Sequence, residues 1–100
     1  MKALLIKPAE QSIEPVDITG PGDIAALIGY DTVITDDVGK DGDKLHFDEE
    51  CFLRGIKEKF KIDTLVPVSG VGVITGSGAD GALTEPSTDI ADLKARTQFL

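Results

Sequence analysis

Apolar and polar positions alternate along the chain in short pieces, and the densest apolar piece is residues 65–78, LVPVSGVGVITGSG. Val71, Val73 and Ile74 are β-branched residues bounded by turn formers, a pattern that predicts a buried strand. The rest of the chain reads as cover for that strand. Residues 2–7 predict a first strand, stopped by Pro8, which has no N–H for a central ladder. Ile13, Val16 and Ile18 form an extended piece that Pro15 marks as irregular or at an edge. Residues 19–22, TGPG, are a turn cluster. Asp23 then heads IAALI, predicting a two-turn helix with Asp23 as N-cap and Gly29 as its stop. A helix that short must pack on a sheet. Residues 30–35, YDTVIT, predict a strand, residues 36–43 a loop, and Leu45-His46-Phe47 the returning strand of a hairpin.

Residues 48–61 admit two readings. Phe52, Ile56 and Phe60 fall at i, i+4 and i+8, one face of a helix capped by Asp48, and periodicity alone favours it. Gly55 in its middle costs about 1 kcal/mol against alanine. The other reading is a single helical turn ending at Gly55, then a strand in which Phe60 and Ile62 alternate with Lys59 and Lys61. Beyond the central strand, residues 79–81 are a turn. Residues 89–95 predict a second helix carrying Ile90 and Leu93, capped by Ser87 or Thr88, with Asp89 or Asp92 at the positive end of its dipole. Residues 97–100 predict a last edge strand. The expected fold is α+β: a small single domain over residues 1–100, mostly antiparallel or mixed sheet with two short helices.

Composition narrows the chemistry. One hundred residues with 41% apolar and 28% charged content describe one folded domain. The single cysteine, Cys51, excludes an intramolecular disulfide and a cysteine metal knot, and fits a reducing compartment. The four apolar residues before Lys7 are too few for a signal peptide's apolar region, and no run approaches membrane-spanning length. The expected location is the cytoplasm, with no membrane partner. Net charge is −8, from 18 acidic and 10 basic residues, which repels phosphate, so direct nucleic-acid binding is not expected. Arg54, Lys57, Lys59 and Lys61 form the only basic cluster, interrupted by Glu58.

The order of motifs is familiar. MKALLIKP at the start, IGYDT at 28–32, FDEE at 47–50, LRG at 53–55 and GVGVITG at 70–76 resemble the domain of unknown function 3846 family. Asp80-Gly81 and the run DIADLKAR at 89–96 match that family's spacing. These are short proteins often carried by phages and mobile elements. The resemblance implies a small α+β fold, favours turn, glycine and strand over the long helix at 48–61, and carries no catalytic residues. The chain departs from the family pattern at Cys51 and Phe52, where a second small position is usual.

Seven carboxylates, Asp36, Asp37, Asp41, Asp43, Asp48, Glu49 and Glu50, fall within fifteen residues. They repel one another unless spread, solvated or neutralised. Exposed together, Asp36, Asp37, Asp41, Asp43, Glu49 and Glu50 would steer a basic protein partner, with the glycine loop 76–81 beside them. Residues 37–48 also overlay in part on a calcium loop: Asp37, Asp41, Asp43 and Asp48 stand at positions one, five, seven and twelve, with Gly42 at six. Gly39 at three and Asp48 in place of glutamate depart from it. Gly70, Gly72, Gly76 and Gly78 do not open a helix or precede a lysine, so bulges or close packing explain them better than a phosphate loop. His46 and Cys51 are the one pair that could serve nucleophilic chemistry, and nothing nearby supports them. The expected function is a small accessory or interaction protein without catalytic residues or cofactor. The alternative is a small ligand- or divalent-metal-binding module using residues 37–48.

Overall fold

These patterns produce β1 (Lys2–Lys7), β2 (Ser12–Asp17), α1 (Pro21–Ile28), β3 (Val33–Val38), β4 (Asp43–Asp48), a 3-10 turn (Cys51–Leu53), β5 (Lys59–Ile62), β6 (Val68–Ser69), β7 (Gly72–Ser77), β8 (Leu83–Thr84), α2 (Ile90–Arg96) and β9 (Thr97–Phe99). The structure is a computed structural model that describes residues 1–39, 42–63, 65, 67–78 and 81–100. The main sheet has the order β2-β1-β7-β4-β3, with β8 added on β7, and a second sheet has the order β6-β5-β9. Every ladder described is antiparallel. The protein is a small α+β domain.

Val73, Ile74 and Thr75 are fully buried, so β7 is covered on both faces. One face joins Leu5 and Val73 to Ile24 and Ile28 of α1. The other joins Leu4, Ile6, Leu45 and Ile74 to Phe60 and Ile62 of the second sheet and to Leu93 of α2. Successive residues of β1 feed opposite clusters, as the pleat requires. The run at 65–78 is therefore two strands in two sheets: β6 belongs to the small sheet and β7 to the centre of the large one.

Three expectations are corrected, the first being the cap of α2: it is Asp89, whose carboxylate accepts from the Asp92 N–H at 2.7 Å, and not Ser87 or Thr88. Asp23 is not the N-cap of α1. Gly20 holds that position, Pro21 opens the helix, and Asp23 reaches back to accept from the Thr19 N–H at 2.7 Å and its hydroxyl at 2.8 Å. Proline suits the first turn because its missing N–H would have no intrahelical partner there. The strand expected at 30–35 begins three residues later, at Val33, so Asp36 and Asp37 lie in a strand instead of a loop. Residues 48–61, open between two readings, take the turn-and-strand form, and Gly55 shows why: its φ of 73° is left-handed and ends any right-handed helix there.

The glycines of β7 mark close approaches. A Cβ on Gly72 would lie 2.6 Å from the Phe60 ring, and one on Gly76 would lie 2.4 Å from the Glu85 carbonyl oxygen. Gly76→Ala is expected to destabilise the fold by about 1–3 kcal/mol, because backbone must move to make room. Gly22→Ala in α1, where nothing lies within 4 Å, should be neutral or stabilise by up to about 1 kcal/mol. Urea unfolding of both variants measures the contrast.

Candidate contact surface

The hairpin β3–β4 sorts the acidic residues by strand and by phase. β3 pairs Val33 with Asp48 and Val38 with Asp43, and it forms an edge of the main sheet. Asp36 and Asp37 are exposed on that edge, and Glu49 and Glu50 are exposed just beyond β4. Asp43 and Asp48, at the two ends of β4, are each only 3% exposed. The expected ridge of outward carboxylates is corrected at these two positions. Asp41 lies outside the described residues.

Both inward carboxylates are saturated. Asp43 accepts from the Ser87 N–H at 2.8 Å, the Ser87 hydroxyl at 2.9 Å and the Thr88 N–H at 3.0 Å, tying β4 to the approach to α2. Asp48 accepts from Arg54 Nε at 2.6 Å, from the Glu50 N–H at 3.1 Å and from the Thr32 hydroxyl. Arg54 is fixed further by stacking 3.6 Å above the Tyr30 ring and by a contact with Glu50 at 3.4 Å. Burial pushes the Asp48 carboxyl up, but the donors from Arg54, Thr32 and Glu50 outweigh it and hold the group below the usual carboxylate range. Arg54 thus serves this internal cluster and drops out of the basic cluster read from sequence.

Outside, Asp37 pairs with Lys44 and is 78% exposed. Asp36 and the Glu49 carboxylate have no hydrogen-bond or ion-pair partner among the described residues. Phe52 and Leu53, 55% and 84% exposed, extend the Glu49–Glu50 end with an apolar pair. The glycine loop expected beside this surface does not join it intact. Gly76 is buried in β7, and residues 79 and 80 lie outside the described residues.

The calcium set is not assembled either. Asp43 and Asp48 stand five residues apart on one strand, about 17 Å along it and on opposite faces. Their oxygens are already occupied by internal donors, and Asp37 is neutralised by Lys44. Among the described residues no group of three or more acidic, histidine or cysteine side chains is placed to hold a metal ion.

His46 lies on the α1 face, in a row that sequence reading missed. Its Nδ1 is 3.0 Å from the Thr35 hydroxyl and its Nε2 is 2.8 Å from the Thr75 hydroxyl. Strand pairing sets Thr35 directly opposite His46, while Thr75, opposite Lys44 on β7, lies diagonal to the imidazole on the same face, a juxtaposition visible only once the register is known. The row borders a cavity of about 400 Å³ lined also by Pro21, Ile24, Asp31 and Val33. Cys51 is buried in the cluster on the other face of the sheet, so thiol and imidazole are not brought together.

No helix among the described residues is long and apolar enough to cross a membrane. No protein-family model matches the chain, and neither curated proteins nor solved structures yield a match.

Two predictions separate these roles. Asp43→Ala should destabilise by about 1–2 kcal/mol, because it removes the acceptor of two part-buried N–H groups and the Ser87 hydroxyl, whereas Asp36→Ala should change stability by under about 0.5 kcal/mol. Urea midpoints test both. In acid, burial, reinforced by Lys44, pushes the His46 imidazole below its ordinary 6.5, so the unfolded chain takes up a proton that the fold refuses. Stability therefore starts to fall as pH drops below 6.5. The Asp48 contribution is present above 3.8 and is lost as pH falls through the lower folded value. In a pH series of unfolding curves, His46→Gln should flatten the first decline and leave the second.

Proposed function

We propose that the chain is a small accessory or interaction domain, without catalytic activity of its own, that meets a basic protein partner through Asp36, Asp37, Glu49 and Glu50. The observation that carries this reading is the division of labour among the carboxylates. The fold consumes Asp43 and Asp48 internally, while Asp36 and Glu49 are exposed with no partner among the described residues. A net charge of −8 makes the encounter with a cationic surface favourable and the encounter with nucleic acid unfavourable. The separation of His46 from Cys51 supports a binding role over hydrolytic chemistry. A cytoplasmic location and, on the motif resemblance alone, a phage or mobile-element setting are part of the proposal.

Two variants of equal net charge test the surface. One neutralises Asp36, Asp37, Glu49 and Glu50 to their amides; the other neutralises Glu10, Glu14, Asp17 and Glu58, also exposed but remote from the hairpin in sequence. Binding to a lysine-rich peptide is followed by fluorescence anisotropy over a salt series. The hairpin variant should bind several-fold more weakly with a shallower salt slope, while the other stays near the parent. Equal losses in both would mean that bulk charge alone acts, and would sink the proposed surface.

A further inference from the structure

We infer that β3 is a docking edge for an extended basic segment of the partner, which adds to the main sheet as a further strand. The inference rests on the acidic-surface reading above and specifies its geometry.

The two outer edges of the main sheet are not equivalent. In an antiparallel ladder, alternate residues turn both backbone groups toward the neighbouring strand and the others turn them away. The Glu49 N–H donates to the Thr32 carbonyl at 2.6 Å, which sets the phase of the β3–β4 ladder. Ile34, Asp36 and Val38 therefore bond β4, and Val33, Thr35 and Asp37 point their N–H and C=O groups off the sheet. On β2 the phase follows from the Ile18 N–H donating to the Met1 carbonyl at 2.8 Å. There the outward residues are Ile13, Pro15 and Asp17, and Pro15 has no N–H. The β2 edge lacks its central donor, the device by which sheets refuse another strand. The β3 edge keeps all three donors and carries neither proline nor lysine.

Side chains on the two flanks of that edge select the occupant. Val33 and Thr35 line the cavity beneath α1 with Pro21, Ile24 and His46, about 400 Å³ of room for an alternate side chain of the added strand. On the opposite flank, in register with Leu45, Asp36 is exposed with no ion-pair partner among the described residues. Asp31 stands at the cavity as well. An added strand is thus favoured when it alternates a lysine or arginine with a small apolar residue, main-chain bonds supplying affinity and the pocket specificity. A second copy fits poorly. Two β3 strands paired about a two-fold axis at Thr35 would set each Asp36 opposite Ile34 of the other copy and diagonal to that copy's Asp36 on the same face, where the like charges repel.

The probe is a peptide of about eight residues alternating lysine and valine, with a twin N-methylated at every second residue so that it keeps its charge but cannot pair. On adding the parent peptide, the amides of Val33, Thr35 and Asp37 should gain hydrogen-exchange protection. The twin should bind at least about tenfold more weakly, and Asp36→Lys should weaken the parent peptide. If the twin binds equally well while the hairpin-neutralised variant loses both peptides, the acidic surface stands and strand addition is overturned. If neither peptide binds at about millimolar concentration, both readings fail. If the three amides become protected merely on concentrating the protein, the edge pairs with itself and the basic partner is overturned.

Discussion

Burial of β7 on both faces is the constraint from which the rest of the architecture follows. A strand with Val73, Ile74 and Thr75 all withdrawn from water needs a layer above and a layer below. Helix α1 is too short to hold alone and exists as the upper layer, its Ile24 and Ile28 set on Leu5 and Val73. The lower layer is the small sheet with Leu93 of α2, and Phe60 packs so closely on β7 that only glycine fits at position 72. The hydroxyl of Thr75 would be costly at such depth, and His46 satisfies it at 2.8 Å. The polar row across β3, β4 and β7 is thus a consequence of the same burial.

The two inward aspartates solve a related problem at the ends of β4. The chain approaching α2 must be anchored, and its Ser87 and Thr88 N–H groups need acceptors; Asp43 supplies both. At the other end the turn at 51–53 is held by Asp48 through Arg54, which is itself sandwiched against Tyr30. On the far side of α2, Arg96 clamps Asp63 through contacts of 2.6, 3.1 and 3.2 Å. These charge-assisted bonds are shorter and stronger than neutral ones, and they join segments far apart in sequence. What remains outside is Asp36 and Glu49, with no internal partner among the described residues, beside Asp37 and Glu50, which are exposed and pair only with Lys44 and Arg54.

Local punctuation made much of this legible before any coordinates. Pro8 and Pro15 marked the end of β1 and the edge character of β2, left-handed Gly29 closed α1, and Leu45-His46-Phe47 marked the hairpin return. Properties set by distant partners were not legible. Asp43 looks like any loop carboxylate until Ser87, 44 positions later, is known to donate to it. Asp48 read as a helix cap and a metal ligand because nothing local shows that Arg54 folds back on it. The helix favoured by the spacing of Phe52, Ile56 and Phe60 fails for a physical reason that periodicity does not weigh. Gly55 adopts a left-handed conformation, and Phe60 is claimed by the core beneath β7 while Phe52 stays in water.

The same logic bears on why the sheet ends where it does. An open sheet exposes two rows of unpaired backbone groups, and each is a template for another chain. At β2 the chain disarms its edge covalently, by placing proline where the central outward donor would stand. At β3 it leaves the backbone intact and relies on charge: Asp36 and Asp37 repel an identical edge, yet the same charges attract a cationic one. Proline refuses every strand alike, whereas carboxylates discriminate by sign. An edge protected only by charge is selective, not closed, and that asymmetry between β2 and β3 is the physical ground of the strand-addition proposal.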